Sequence, residues 1–215
     1  MATRIKICGI TRIEDGLAAA HAGADAIGLV FWSGTPRVVE VEQARAIAQA
    51  IPPFVSIVGL FVDPTADEVN AVLETVPLDI LQFHGSEASG LCRAFGRPYL
   101  KAIPVDSTAD LLESVSLYGD AAGLLFDAPP TLGMPGGTGR TFDWSRLPAS
   151  LPRPLVLSGG LNAGNVARAI RMLRPWAVDV SSGVEASGTD GRPRVGIKDA
   201  AKIAAFVEEV RHADV

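Results

Sequence analysis

Eight short apolar runs, each followed by a stretch with helical spacing, fix most of what this chain can become. The runs are Arg4–Cys8, Ala26–Phe31, Val55–Phe61, Ile80–Phe83, Pro98–Ala102, Gly123–Asp127, Pro154–Leu157 and Ala177–Val180. Spread over 215 residues, they leave roughly 27 residues per unit, about what one strand, one helix and their turns need. Most are continuous apolar runs rather than strict alternations, as expected of parallel strands covered on both faces. Between them the period changes. Val69, Val72, Leu73 and Val76 fall at i, i+3, i+4, i+7, as do Val166, Ala169, Ile170 and Leu173, and then Ile203, Phe206, Val207 and Val210. Each set makes one apolar stripe that can lie on a sheet. Thr11-x-x-Glu14, Thr65-x-x-Glu68 and Ser107-x-x-Asp110 read as capping boxes at helix starts.

Eight such units can close into a barrel or lie open as a doubly wound sheet. Even spacing and glycine-rich loops at several strand ends favour the barrel, in which every strand end feeds one mouth. No linker divides the chain, so residues 1–215 read as one domain. The segment Pro129–Gly139 is the best boundary candidate, but it lies between a strand and a helix and reads as a functional loop. The helix that follows it is short, little more than Phe142–Leu147. Ala186–Gly196, rich in glycine and charge, reads as a mobile loop.

Composition excludes several functions. The net charge of −5, with no basic stripe among aromatics, gives no reason to expect nucleic acid. No apolar stretch approaches a membrane span, and the N-terminus lacks the apolar core of a signal peptide. Cys8 and Cys92 form neither a disulfide framework nor a metal-ligand cluster, so a reducing, cytoplasmic setting is expected.

The residues able to carry chemistry sit at strand ends. Strand seven ends in Ser158-Gly159-Gly160-Leu161, strand eight in Ser181-Ser182-Gly183-Val184-Glu185, and the loop after strand six holds Gly136-Gly137-Thr138-Gly139. Glycines let backbone N–H groups approach an anion, and the loops after strands seven and eight are where barrels bind phosphate. Each glycine alone could equally serve a tight turn. Cys8 closes strand one: it is either a small buried hydrophobe or, beside a phosphate site, a base if its surroundings favour the thiolate. Lys6, two residues back, could share its face. Cys92, within a helix, reads as packing. Asp127 closes strand six, either as a turn residue before Pro129 or as a proton donor in a half-enclosed mouth. In barrel order strands seven and eight separate Cys8 from Asp127, so the two flank the phosphate arc. Arg37, after strand two, could clamp a carboxylate or be solvated. His84, after strand four, could touch substrate or brace the strand end. Asp179 reads as a structural polar group.

Lys6-Ile7-Cys8-Gly9-Ile10-Thr11 resembles the opening motif of the phosphoribosylanthranilate isomerases of tryptophan biosynthesis. The resemblance continues through Gly23–Gly28, Gln82-Phe83-His84-Gly85, Gly136-Gly137-Thr138-Gly139, Ser158–Leu161 and Val178–Glu185, in order along nearly the whole chain. It implies a (β/α)8 TIM barrel and an Amadori rearrangement of N-(5-phosphoribosyl)anthranilate. It also implies roles: Asp127 as general acid, Cys8 as general base, Arg37 holding the anthranilate carboxylate, His84 contacting substrate. Phosphate would fall to Gly136, Gly137, Gly139, Gly159, Gly160, Ser182 and Gly183. No metal or organic cofactor is implied, because the substrate's own nitrogen supplies the electrons, and the chain would act as a monomer or homodimer. The sequence departs from the family pattern at Val38, where a tyrosine is usual, at Ser158, where alanine is usual, and in a longer loop after Glu185. The nearest rival is the histidine-pathway aminoaldose isomerase, whose first strand ends in an aspartate where this chain has Cys8. A non-catalytic phosphate-binding barrel would need neither Cys8 nor Asp127.

Overall fold

A computed structural model describes residues 2–106, 108–129, 139–148 and 150–214, with the backbone alone at 108–110. Its eight parallel strands close into a barrel in sequence order. They are β1 (Arg4–Cys8), β2 (Ala26–Val30), β3 (Ser56–Phe61), β4 (Ile80–Phe83), β5 (Tyr99–Pro104), β6 (Gly123–Asp127), β7 (Leu155–Leu157) and β8 (Ala177–Val180). Closure comes from β1 pairing with β8, with Lys6 in register with Asp179. An open sheet is thereby excluded.

The helices are α1 (Ile13–Ala22), α2 (Val41–Ala50), α3 (Ala66–Thr75), α4 (Ser89–Cys92), α5 (Thr108–Leu117), α6 (Val166–Leu173) and α7 (Ala200–Ala213). Among the described residues between β6 and β7 there is only a 3₁₀ turn, Trp144–Arg146. Because side chains alternate along a strand, each strand feeds two cores. Ile5, Ile7, Ile27, Leu29, Phe61, Phe83 and Phe126 pack outward against Val69, Val166, Ile203 and Phe206 of the helices. Inside the barrel, Ala102, Leu125, Val156 and Ala177 form a small apolar plug, above which Cys8, Val30 and Leu60 line the mouth. Continuous apolar runs in the sequence are the trace of this double burial: all five residues of β6 are buried. No helix among the described residues is long and apolar enough to cross a membrane.

Two expectations need correction. Thr65 and Glu68 do form a capping box. Thr11 does not: α1 is preceded by Arg12 without a side-chain cap, and the Thr11 hydroxyl donates instead to the Gly196 carbonyl. The Ser107 box lies outside the described residues. The second correction concerns Ala186–Gly196, which is not an irregular loop but an antiparallel ribbon of β9 (Glu185–Ser187) and β10 (Pro193–Lys198). Its tip turns at Asp190-Gly191: Gly191 has φ 77°, and the Asp190 carboxylate accepts from the Arg192 N–H at 3.0 Å. Asp-Gly between two extended stretches is the hairpin signal that marks it.

Candidate active site

The pocket at the barrel mouth is lined by Cys8 from β1, Gln82 and His84 from the end of β4, Asp127 from β6, and Arg37 and Ser182 from loops. Cys8 and Asp127 both have only 5% of their surface exposed, so neither is a solvated turn residue.

Cys8 shares its inward face with Lys6, whose ammonium pairs with Asp179 at 2.9 Å inside the barrel. Asp179, read from sequence as a structural polar group, is therefore the counter-charge of Lys6. Burial works against the Lys6 charge, but Asp179 and Cys8 together outweigh it and hold the lysine pKa above its ordinary value. Burial pushes the Cys8 thiol up; Lys6 pulls it down, and Asp179 adds to the rise. Burial therefore favours the protonated thiol, and the Lys6 ammonium beside it favours the thiolate.

Space for the thiol comes from Gly28 on β2, which closes one of the segments that carry the resemblance but had no role assigned to it. A Cβ there would lie 2.7 Å from the Cys8 sulfur and 3.2 Å from the Lys6 side chain. Gly28→Ala is therefore expected to keep the fold while displacing Sγ by a few tenths of an ångström or more. About a tenfold or greater loss of kcat should follow, because a small misplacement of a reacting group is costly. Steady-state kinetics beside a thermal melt checks this; full turnover would mean the thiol position is not critical.

Asp127 Oδ1 accepts from the Ala128 N–H at 2.7 Å, which orients the carboxylate, and Oδ2 lies 3.3 Å from His84 Nε2. The β4 loop that carries His84 is held from behind. Lys101, buried outside the barrel, donates to the carbonyls of Phe83 and Gly85 and pairs with Glu87 at 2.8 Å. Glu87 in turn accepts from the N–H groups of Asp63 and Gly85. Nothing in the local sequence revealed this anchor, since its members are distributed over three segments. Cys92 is fully buried, and burial pushes its thiol to about 11, in keeping with a packing role.

Arg37 is 7% exposed, which rules out the solvated alternative. Its guanidinium grips Glu185 with two bonds, Nε at 2.7 Å and Nη2 at 3.0 Å. Glu185 also accepts from the Gly196 N–H at 2.9 Å and faces Lys198 Nζ at 3.4 Å. Burial opposes the Glu185 charge, but these donors outweigh it and hold the carboxyl below its usual range. Burial, reinforced by Arg37, drops Lys198 to about 8 against the pull of Glu185. The β9–β10 ribbon thus closes one side of the mouth through a buried network of two cations on one anion.

The glycine loops divide by position. Gly159 and Ser182 line the pocket. Gly160 and Gly183 pack loop against loop: a Cβ on Gly160 would lie 2.6 Å from the Arg140 backbone, and one on Gly183 would lie 2.0 Å from the Leu161 carbonyl. Gly139, with φ 74°, brings the loop after β6 against Ser182. Gly136 and Gly137 lie outside the described residues. Ser158 lines the pocket beside Gly159.

Comparison with known proteins agrees with this geometry. The model of the family "N-(5'phosphoribosyl)anthranilate (PRA) isomerase" matches residues 5–209. The chain is 56% identical over 210 residues to the N-(5'-phosphoribosyl)anthranilate isomerase of Pseudomonas paraeruginosa, covering 98% of this chain and 96% of that one. It superposes on the crystal structure of phosphoribosyl anthranilate isomerase from Thermotoga maritima with a TM-score of 0.83 and 39% identity, covering 98% and 99% of the two chains. A further solved structure, with TM-score 0.81, 38% identity and coverage of 98% and 99%, is a phosphoribosyl anthranilate isomerase in complex with reduced 1-(o-carboxyphenylamino)-1-deoxyribulose 5-phosphate. With the family model spanning nearly the whole chain and its barrel closed as the motifs imply, this protein belongs to the N-(5'-phosphoribosyl)anthranilate isomerase family.

Proposed function

We propose that the chain catalyses the Amadori rearrangement of N-(5-phosphoribosyl)anthranilate to 1-(2-carboxyphenylamino)-1-deoxyribulose 5-phosphate, a step of tryptophan biosynthesis. One observation carries the reading: in a chain of this family, one mouth holds a buried thiol from β1 and a buried carboxylate from β6. Protonated Asp127 gives its proton to the ribose ring oxygen. The C1–O bond breaks toward that oxygen, and the anthranilate nitrogen's lone pair forms the C1=N bond of the Schiff base. The Cys8 thiolate, formed when the thiol gives its proton to solvent, removes the C2 proton; the electrons give an enolamine, which tautomerises to the C2 ketone, and Asp127 regains a proton from solvent. Atoms and electrons balance within the substrate, and acid and base act at different positions.

Gly139, Gly159, Gly160, Ser182 and Gly183 bind the phosphate in this reading, on the arc between β6 and β8. Arg37 receives the anthranilate carboxylate while braced by Glu185. The residues assigned all come from one chain, so a monomer suffices for the chemistry. Two buried free thiols favour a reducing, cytoplasmic setting.

A fluorescence assay that follows consumption of phosphoribosylanthranilate by the purified protein tests the reading. Steady consumption is expected. Turnover of the histidine-pathway aminoaldose without the anthranilate compound would move the chain to that rival, and turnover of neither would make it a binding barrel.

Arg37→Ala is expected to raise KM, since the carboxylate clamp acts before and during reaction. It also leaves buried Glu185 with Lys198 and the Gly196 N–H as its partners, so stability should fall by about 1.5–3 kcal/mol in urea unfolding, the worth of hydrogen bonds to a charged group. An unchanged KM with lowered stability would reduce Arg37 to a brace for the ribbon.

A further inference from the structure

Gln82 is the last inward-facing residue of β4. It is fully buried and lines the pocket. Its Nε2 lies 3.1 Å from His84 Nδ1. Its Oε1 has no hydrogen-bond partner, and neither does His84 Nε2, although Asp127 Oδ2 lies 3.3 Å from it. Two buried polar atoms at the wall of one pocket are thus unsatisfied. Each such atom costs stability in the free protein, which makes both ready for a ligand.

Their chemistry narrows the ligand. An amide N–H donating to Nδ1 leaves that nitrogen bare and puts the imidazole hydrogen on Nε2. The opposite amide orientation would need hydrogen on Nδ1 and would aim a bare Nε2 lone pair at the Asp127 side chain, acceptor against acceptor once that group has given up its proton. The observed arrangement instead offers one acceptor, Gln82 Oε1, and one donor, His84 Nε2–H. A hydroxyl group, which donates and accepts at once, satisfies both.

We propose that Gln82 is a substrate-positioning residue: its amide nitrogen fixes His84 as the Nε2–H tautomer, and its amide oxygen receives a ribosyl hydroxyl that in turn accepts from that Nε2–H. The proposal deepens the functional reading above and rests on it for the identity of the substrate.

The chain has three histidines, and the other two, His21 and His212, lie on the outer helices α1 and α7. The His84 signal in ¹⁵N-resolved NMR is therefore assignable by its loss in His84→Gln. In alkaline buffer, where an ordinary imidazole is neutral, the free wild-type protein should show hydrogen on Nε2. Gln82→Glu, an acceptor only, should move it to Nδ1. Titration calorimetry with reduced 1-(o-carboxyphenylamino)-1-deoxyribulose 5-phosphate should show about tenfold weaker binding to Gln82→Met than to wild type. Hydrogen on Nδ1 in the free wild type overturns the proposal, and needs no variant to fold. Equal affinity of Gln82→Met and wild type overturns it too, while leaving the functional reading standing. Failure of the analogue to bind wild type overturns the functional reading and the hydroxyl contact together; the tautomer result then still decides the Gln82–His84 contact by itself.

Discussion

Cys8→Ser is expected to leave the barrel folded and to lower kcat by about 10²-fold or more, with a smaller change in KM. The pocket that receives Sγ is shaped by Gly28 and bounded by Lys6, so a smaller hydroxyl fits without strain. It retains a hydrogen-bonding partner in the lysine, and stability should change little. What is lost is basicity. An alcohol does not ionise in the range where the thiol does, and the ammonium of Lys6 then has no thiolate to stabilise. A second measurement fixes the sign of the pH effect. Burial holds the Cys8 thiol above its ordinary value, against the pull of Lys6. The active form of a base is the deprotonated one, so a raised pKa moves activity toward higher pH. In the wild type, kcat/KM, which reports the free enzyme, should rise with pH through and beyond the ordinary thiol range near about 8.5. In Cys8→Ser that limb should vanish. A wild-type profile already flat below that range would mean that the thiol is not the base, or that it is ionised at rest.

How far the sequence carried the reading depends on how local each signal was. Strand and helix periods are local, and all eight strand positions could be read to within one or two residues from apolar runs alone; the largest difference is at β5, which Ile103 and Pro104 extend past Ala102. Cys8 and Asp127 were legible because barrel topology converts a strand-end position into a place at the mouth. Gly28 was not. Its importance lies in a cross-strand neighbour, Cys8, with which it pairs in register, and one chain gives no register. Gln82 was hidden for a different reason: it sits inside an apolar run, where a polar residue reads as an interruption until its partners are seen. The Lys101–Glu87 anchor and the Arg37–Glu185–Lys198 network join residues far apart in sequence, and their energies come from burial that no local pattern records. Arg37 shows the consequence: on sequence it was a clamp or a solvated arginine, whereas in the fold it is a buried half of an ion pair. The ribbon at β9–β10 is the opposite case, since Asp190-Gly191 was a readable hairpin signal outweighed by glycine and charge content.

Asp127→Asn should also lower kcat by about 10²-fold or more, and the reason is visible in its two contacts. One carboxylate oxygen accepts from the Ala128 N–H, and the other faces His84 Nε2. A carboxamide has one oxygen and one NH₂. If its oxygen keeps Ala128, its NH₂ meets the Nε2–H, donor against donor; if it turns, the backbone N–H is stranded. It also has no acidic proton to give the ring oxygen. The double variant with Cys8→Ser then separates the roles. If Asp127 serves ring opening and Cys8 serves C2 deprotonation, each substitution raises a different barrier, and turnover is governed by the higher one. The double variant should therefore lose about as much as the worse single variant, not the product of the two losses. Multiplied losses would put both groups in one transition state and would replace the two-step order with a concerted proton transfer across the mouth.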